Sequence, residues 1–220
     1  MIIAIDGPAA SGKSTTAKMV AKKLKMTYLD TGAMYRALTL ALLRSNIDLD
    51  DYDSVCKVVD ELKLDIYAQE GKIVVILDDE DVSQAIRSMP VTKNVSAVSA
   101  MKYVREAMVE IQRNIGKKTD CVVEGRDIGT VVFPDAELKI FMVADIKMRA
   151  ERRLKELLKM DEESSLQEVI WDLKRRDEKD STRVYSPLQK ANEAIEIDTS
   201  MLSIDQQVEK IINLIRENNN

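Results

Sequence analysis

Residues 7–14 read Gly-Pro-Ala-Ala-Ser-Gly-Lys-Ser, a complete G-x-x-x-x-G-K-[ST] phosphate-binding loop. An apolar run, Met1-Ile2-Ile3-Ala4-Ile5, precedes it and suits a buried parallel strand. Ala17, Val20, Ala21 and Leu24 follow at helical spacing. The loop therefore lies between a strand and a helix, where its chemistry needs it. Glycines let the backbone turn and aim N–H groups at phosphate oxygens. The helix N-terminus adds a partial positive charge. Gly7, Pro8, Ala9, Ala10, Ser11, Gly12, Lys13, Ser14 and Thr15 are the candidate nucleoside triphosphate site. Lys13 can bridge β- and γ-phosphates, and the Ser14 hydroxyl can ligate magnesium.

The chain has no histidine at all. That removes the commonest general base, the Ser-His and Cys-His dyads, and histidine metal sites. Carboxylates, Lys, Arg, backbone dipoles or an oxygen-bound metal must carry any catalysis. Phosphoryl transfer fits such a set, because it depends on positioning and charge neutralisation.

The remaining composition bounds the class. A chain of 220 residues that is 45% hydrophobic fits one compact domain with insertions. Its net charge of −5 argues against a general nucleic-acid binder but leaves room for a local arginine cluster. No apolar stretch approaches a membrane span, and no signal peptide is read at the start. Cys56 and Cys121 lack metal or redox spacing and read as small buried hydrophobes. The expectation is a cytoplasmic protein.

Strand candidates recur between helical segments: Met26–Asp30, Cys121–Glu124, Leu138–Ala144 and Ala194–Asp198. Alternation of this kind predicts an α/β fold with a parallel sheet. Leu64–Ala68 and Ile73–Leu77 alternate around a turn at residues 69–72 and read as an antiparallel hairpin. Residues 63–117 are thus expected to form an α+β insertion. The acidic run Asp78–Asp81 reads as a solvated face. Ser165 with Glu168, and Ser203 with Gln206, make two capping boxes.

Ligands in such sheets bind at the carboxyl ends of strands, and three charged motifs fall there. Asp30-Thr31-Gly32-Ala33-Met34-Tyr35-Arg36 follows the second strand, with Thr31 placed to cap a helix and Arg36 one turn in. Glu124-Gly125-Arg126-Asp127 ends a buried strand, where charges are costly unless paired or ligand-bound. The third motif runs from Arg175 to Arg183. Six of the chain's 13 arginines lie within residues 149–183, matched there by ten basic and ten acidic residues. Arg149, Arg152 and Arg153 read as a solvated, salt-bridged helix face. Arg176, Asp180 and Arg183 share one helical face, a clamp suited to phosphoryl oxygens.

With these motifs the chain resembles the bacterial-type cytidylate kinases over nearly its whole length. The resemblance rests on the phosphate loop, Leu29–Arg36, the run Glu124–Asp135, Arg176-Asp177 through Arg183, and Asp81-Val82-Ser83 with Ile86-Arg87. It implies phosphate transfer from ATP to CMP and dCMP, with Mg2+. The implied fold is the P-loop nucleoside monophosphate kinase fold. Its five-stranded parallel sheet is flanked by helices, with a substrate-binding insertion at 63–117 and a short helical lid at 149–187. The resemblance also implies that Thr31, Arg105 and Asp127 contact cytosine, the carboxylate accepting from its N4 amino group. It gives Arg36, Arg126 and Arg183 the acceptor phosphate, and Arg176 and Asp180 the sugar and the transfer region. The resemblance also implies that Lys13, Arg126, Arg176, Asp180 and Arg183 form the catalytic set. Ser14, and Glu124 through water, would position the magnesium. The family suggests a monomer, without nucleic-acid or membrane partners. Two rival readings stand beside it: a P-loop kinase for another small acceptor, UMP or shikimate-like, and an ATP-binding regulatory protein without a monophosphate substrate.

Overall fold

The computed structural model describes residues 1–69, 72–159 and 163–218. Strand β1 (Ile2–Asp6) runs into the phosphate loop and helix α1 (Lys13–Leu24), then β2 (Thr27–Asp30), α2 (Thr31–Arg44) and α3 (Tyr52–Asp60). Strands β3 (Leu64–Gln69), β4 (Lys72–Leu77) and β5 (Glu80–Asp81) follow, then α4 (Met89–Val98) and α5 (Lys102–Gly116). The chain returns as β6 (Cys121–Gly125), a π-helix at Ile128–Val132 and β7 (Leu138–Val143). It ends with α6 (Ile146–Leu158), α7 (Leu166–Thr182), β8 (Ile195–Asp198) and α8 (Ile204–Asn218).

The main sheet has the order β2-β6-β1-β7-β8, every neighbouring pair parallel. This is the expected five-stranded parallel sheet. Its central strands are apolar because both faces are covered. Ala4, Leu29, Cys121 and Val123 pack against α2, α3 and α5 on one face. Ile3, Ile5, Val122, Ile140 and Met142 pack against α1 and α8 on the other. Each fully buried Ile or Met there contributes about 1.5–3 kcal/mol.

A three-stranded antiparallel sheet, β3-β4-β5, stands beside it. Its register runs from Leu64 opposite Leu77 to Gln69 opposite Lys72. Residues 70 and 71 of the expected turn, and the tail's 219 and 220, lie outside the described residues. The acidic run is exposed but structured. Asp78 and Asp79 take φ of 49° and 67°, the left-handed pair of a tight hairpin turn. Glu80 and Asp81 then pair with β4, and Arg44 grips Glu80 with bonds of 2.6 and 2.9 Å. Helix α5 packs Val104, Met108 and Val109 on the main sheet while Arg105 points elsewhere. Both capping boxes form, with Ser165 and Glu168 reciprocal and Gln206 bonding back to Ser203 at 2.9 Å. Cys121 is buried, whereas Cys56 is half-buried. Among the described residues no helix is long and apolar enough to cross a membrane.

One glycine is fixed by this packing. Gly7 has φ +149°, and a Cβ there would lie 2.1 Å from the Met142 carbonyl oxygen. Gly7→Ala must therefore push β1 and β7 apart. The expected loss is about 3 kcal/mol or more in urea unfolding. A loss below about 1 kcal/mol would show that the loop yields without disturbing the sheet.

Candidate active site

The carboxyl ends of β1, β2 and β6 open onto one cleft of about 710 Å³. Basic side chains lining it outnumber acidic ones by nine to five, although the whole chain is net acidic. The positive charge is thus concentrated by folding, in a concavity that weakens solvent screening.

The phosphate loop forms its floor. Gly12 takes φ +96° at the start of α1, and no side chain caps that helix or places an acid in its first turn. Its leading N–H groups and dipole are left for an anion. The Lys13 ammonium folds back to the Pro8 carbonyl at 2.7 Å. Burial, then the Arg126 guanidinium, lowers its pKa. Ser14 Oγ donates to Glu124 Oε2 at 2.9 Å, and Tyr28 donates to the other oxygen of the same carboxylate. Burial, reinforced by Asp30, raises the Glu124 pKa. These are hard oxygen donors beside a phosphate loop, a set that fits Mg2+. Among the described residues there is no cluster of three or more metal-ligating side chains. A magnesium ion here would take its remaining ligands from phosphate and water.

Across the cleft, Arg105 is buried and reaches Asp127 with one guanidinium nitrogen and the Ser99 carbonyl, at 3.1 Å, with the other. It lies 5.3 Å from the Tyr35 ring centroid. Arg183 Nη2 stands 3.7 Å from Asp127 Oδ1 and has no hydrogen-bond partner. Arg126 donates to Asp180 at 2.8 Å. Burial alone would raise the Asp180 pKa, but Arg126 and Arg176 outweigh it and hold it low. Arg36 donates to Thr92 at 3.0 Å, and burial lowers its pKa to about 10. Arg176 is also pushed down to about 10, by burial and then by Arg126, and its Nε has no partner.

Lys13, Ser14, Thr15, Thr31, Arg36, Arg105, Glu124, Arg126, Asp127, Arg176, Asp180 and Arg183 all line this one cleft. Three local readings need correction. Asp30, not Thr31, caps α2, accepting from Ala33 N at 2.9 Å. A carboxylate is the stronger acceptor at a helix dipole's positive end, and the Thr31 hydroxyl is drawn off to the Glu124 carbonyl at 2.7 Å. Arg183 lies just past the end of α7 with ψ 143°, so only Arg176 and Asp180 share the helix. Arg149 is buried and Arg152 half-buried, so neither is a free surface charge. Arg149 donates to the Ala9 carbonyl at 3.2 Å and Asp177 at 2.6 Å, and Arg152 donates to the Thr199 carbonyl at 2.6 Å. Thr199 in turn donates to the Ser11 carbonyl at 2.8 Å, so both arginines brace the phosphate loop.

Sequence reasoning missed Asp6, Tyr28 and Gln207. Gln207 accepts from Thr16 at 2.7 Å from far along the chain, and nothing in its neighbourhood marks it. Asp6 carried a signal: a charged residue closing an apolar strand. It is buried, accepts from the N–H groups of Ile128 and Gly129 at 2.8 Å each, and burial pushes its pKa up to about 6.

The cytidylate kinase family model matches residues 3–217. The chain belongs to the cytidylate kinase family. A cytidylate kinase of Clostridioides difficile (strain 630) is 46% identical, over 98% of both chains. One from Bacillus cereus (strain ATCC 10987 / NRS 248) is 46% identical, over 97% of this chain and 95% of the relative. Among solved structures, an uncharacterized protein from Eubacterium ventriosum ATCC 27560 superposes with a TM-score of 0.52 at 13% identity, over 98% of each chain. That likeness bears on the fold alone. Membership favours neither the regulatory nor the shikimate-like reading.

Proposed function

We propose that the chain transfers the γ-phosphoryl group of ATP to CMP or dCMP, yielding ADP and the cytidine diphosphate. One observation carries the reading. A buried carboxylate, Asp127, held by Arg105, faces the same cleft as the phosphate loop. ATP lies over residues 7–15, its phosphates on the N-terminus of α1 and on Lys13. Thr31, Arg105 and Asp127 read the cytosine. Asp127 accepts from the N4 amino group, where uracil offers only an oxygen. Arg36, Arg126 and Arg183 hold the acceptor phosphate, and Arg176 and Asp180 address the sugar and the group in transit.

No general base is required, because a phosphate dianion is already nucleophilic. The arginines offset repulsion between two anions and keep attack in line. Ser14, and Glu124 through water, would hold magnesium, which supplies further neutralisation of phosphate charge when bound. Residues 63–117 bring Arg87 and Arg105 to the acceptor side. Residues 149–187 act as the lid, excluding water from the transfer. The protein works as a cytoplasmic monomer, with its positive charge kept in the cleft and not spread as a nucleic-acid face.

A coupled ADP-release assay with ATP and magnesium, comparing CMP, dCMP, UMP and AMP, tests this. Turnover with CMP and dCMP is expected. No stimulation by any monophosphate would overturn the proposal. In the same assay, Arg183→Ala is expected to lower kcat about 100-fold; a kcat near wild type would remove Arg183 from the clamp.

A further inference from the structure

One buried carboxylate has no part in that scheme. Asp6 ends β1, is 4% exposed, and directly precedes Gly7 of the phosphate loop. Its Oδ1 accepts from Ile128 N and its Oδ2 from Gly129 N, both at 2.8 Å. These are the two residues that follow Asp127. On the other side, the Asp127 carbonyl accepts from Val131 and Val132 at 2.9 and 3.1 Å. Asp127 itself sits at φ −141°, ψ 25°, outside the regular helix and strand regions. The peptide between Asp127 and Ile128 is thus held at its carbonyl by the π-helix and at its N–H by Asp6, while Arg105 holds the carboxylate. The approach is close: a Cβ on Gly129 would lie 3.5 Å from Asp6 Oδ2 and 3.3 Å from the Lys139 side chain.

We infer that Asp6 is a positioning residue that aims Asp127, and through it sets the preference for cytosine over uracil. The inference rests on Asp127 reading the base, as proposed above. It makes the strand that carries the phosphate loop also the support of the acceptor-reading loop.

Asp6→Asn tests it. The amide keeps one acceptor oxygen and replaces the other with a donor, so one buried N–H loses its partner and meets a like group. The loop must shift, and small displacements are expensive at a reacting site. The KM for CMP is expected to rise about tenfold, with the KM for ATP unchanged within about twofold. The CMP-over-UMP ratio of kcat/KM is expected to fall about tenfold as well. A plain structural brace predicts a lower melting temperature with both ratios intact, and that result overturns the inference. In the double variant with Asp127→Asn, the base ratio should be no lower than in Asp127→Asn alone. Additive losses would show that Asp6 does not act through Asp127. Should Asp6→Asn fail to fold, Asp6→Glu decides by the same ratios. It keeps both oxygens but displaces them by a methylene, and unchanged ratios overturn the inference. Wild-type protein in the same assay separates the two levels. Absence of CMP-stimulated ADP release there refutes the proposed reaction, whereas normal wild-type turnover with unaltered variant ratios refutes only the role of Asp6.

Discussion

Arg176→Ala is expected to lower kcat with CMP about 1,000-fold while leaving folding stability within about 1 kcal/mol of wild type. The two halves of this result have one cause. Arg176 lines the cleft, its Nε is buried without a partner, and Arg126 and Lys13 stand close enough to repel it. Asp180, its opposing carboxylate, already accepts from Arg126. A guanidinium whose buried Nε lacks a partner costs stability. That cost is recovered when an anion arrives, and most fully when charge spreads over a phosphoryl group between donor and acceptor. Alanine removes the receptor and the repulsion together. Single-turnover kinetics and urea unfolding measure the two halves. A kcat within tenfold of wild type would show that Arg126 and Lys13 suffice. A large fall in stability would show that Arg176 is a structural ion-pair partner after all.

The legible parts of this molecule are those governed by local pattern. The phosphate loop announced itself because its glycines, lysine and serine must be consecutive. The buried strands followed from apolar runs between helical periods, and the capping boxes from residues three apart. Motifs at strand ends could be assigned to one cleft because parallel sheets gather those ends together. What stayed hidden depends on residues distant in the chain. Arg149 and Arg152 look like any charged helix face until Ala9 and Thr199 are brought beneath them. The N-cap moved from Thr31 to Asp30 because the Glu124 carbonyl, from a neighbouring strand, competes for the threonine hydroxyl. The π-helix at Ile128–Val132 has no periodicity long enough to read. Its first two N–H groups are bound by Asp6, 122 residues before Ile128.

Asp127→Asn should turn the base preference around. The CMP-over-UMP ratio of kcat/KM is expected to fall about 1,000-fold, with UMP turnover rising in absolute terms. Arg105 decides the direction. It presents N–H groups to the Asp127 carboxylate from inside the protein, and both side chains are almost wholly buried, at 4% and 5% exposure. An asparagine at this position must satisfy that donor first, so its oxygen turns toward Arg105. Its amide nitrogen then takes the Oδ1 position, 3.7 Å from Arg183 Nη2, and presents a donor to the base in place of an acceptor. Uracil O4 meets that donor; the cytosine N4 amino group opposes it. The substitution keeps the buried hydrogen bond but removes the counter-charge of Arg105 and Arg183, so its cost in stability is about 3 kcal/mol, the low end for a broken buried pair. Asp127→Ala would lose the hydrogen bond as well and cost about 5 kcal/mol, confusing specificity with unfolding. Parallel kcat/KM measurements with CMP and UMP, beside a urea melt, separate these effects. Equal losses on both substrates in a folded Asp127→Asn protein would mean that Asp127 supports the site without reading the base. Cytosine selection would then have to be sought among Thr31, Arg105 and their neighbours.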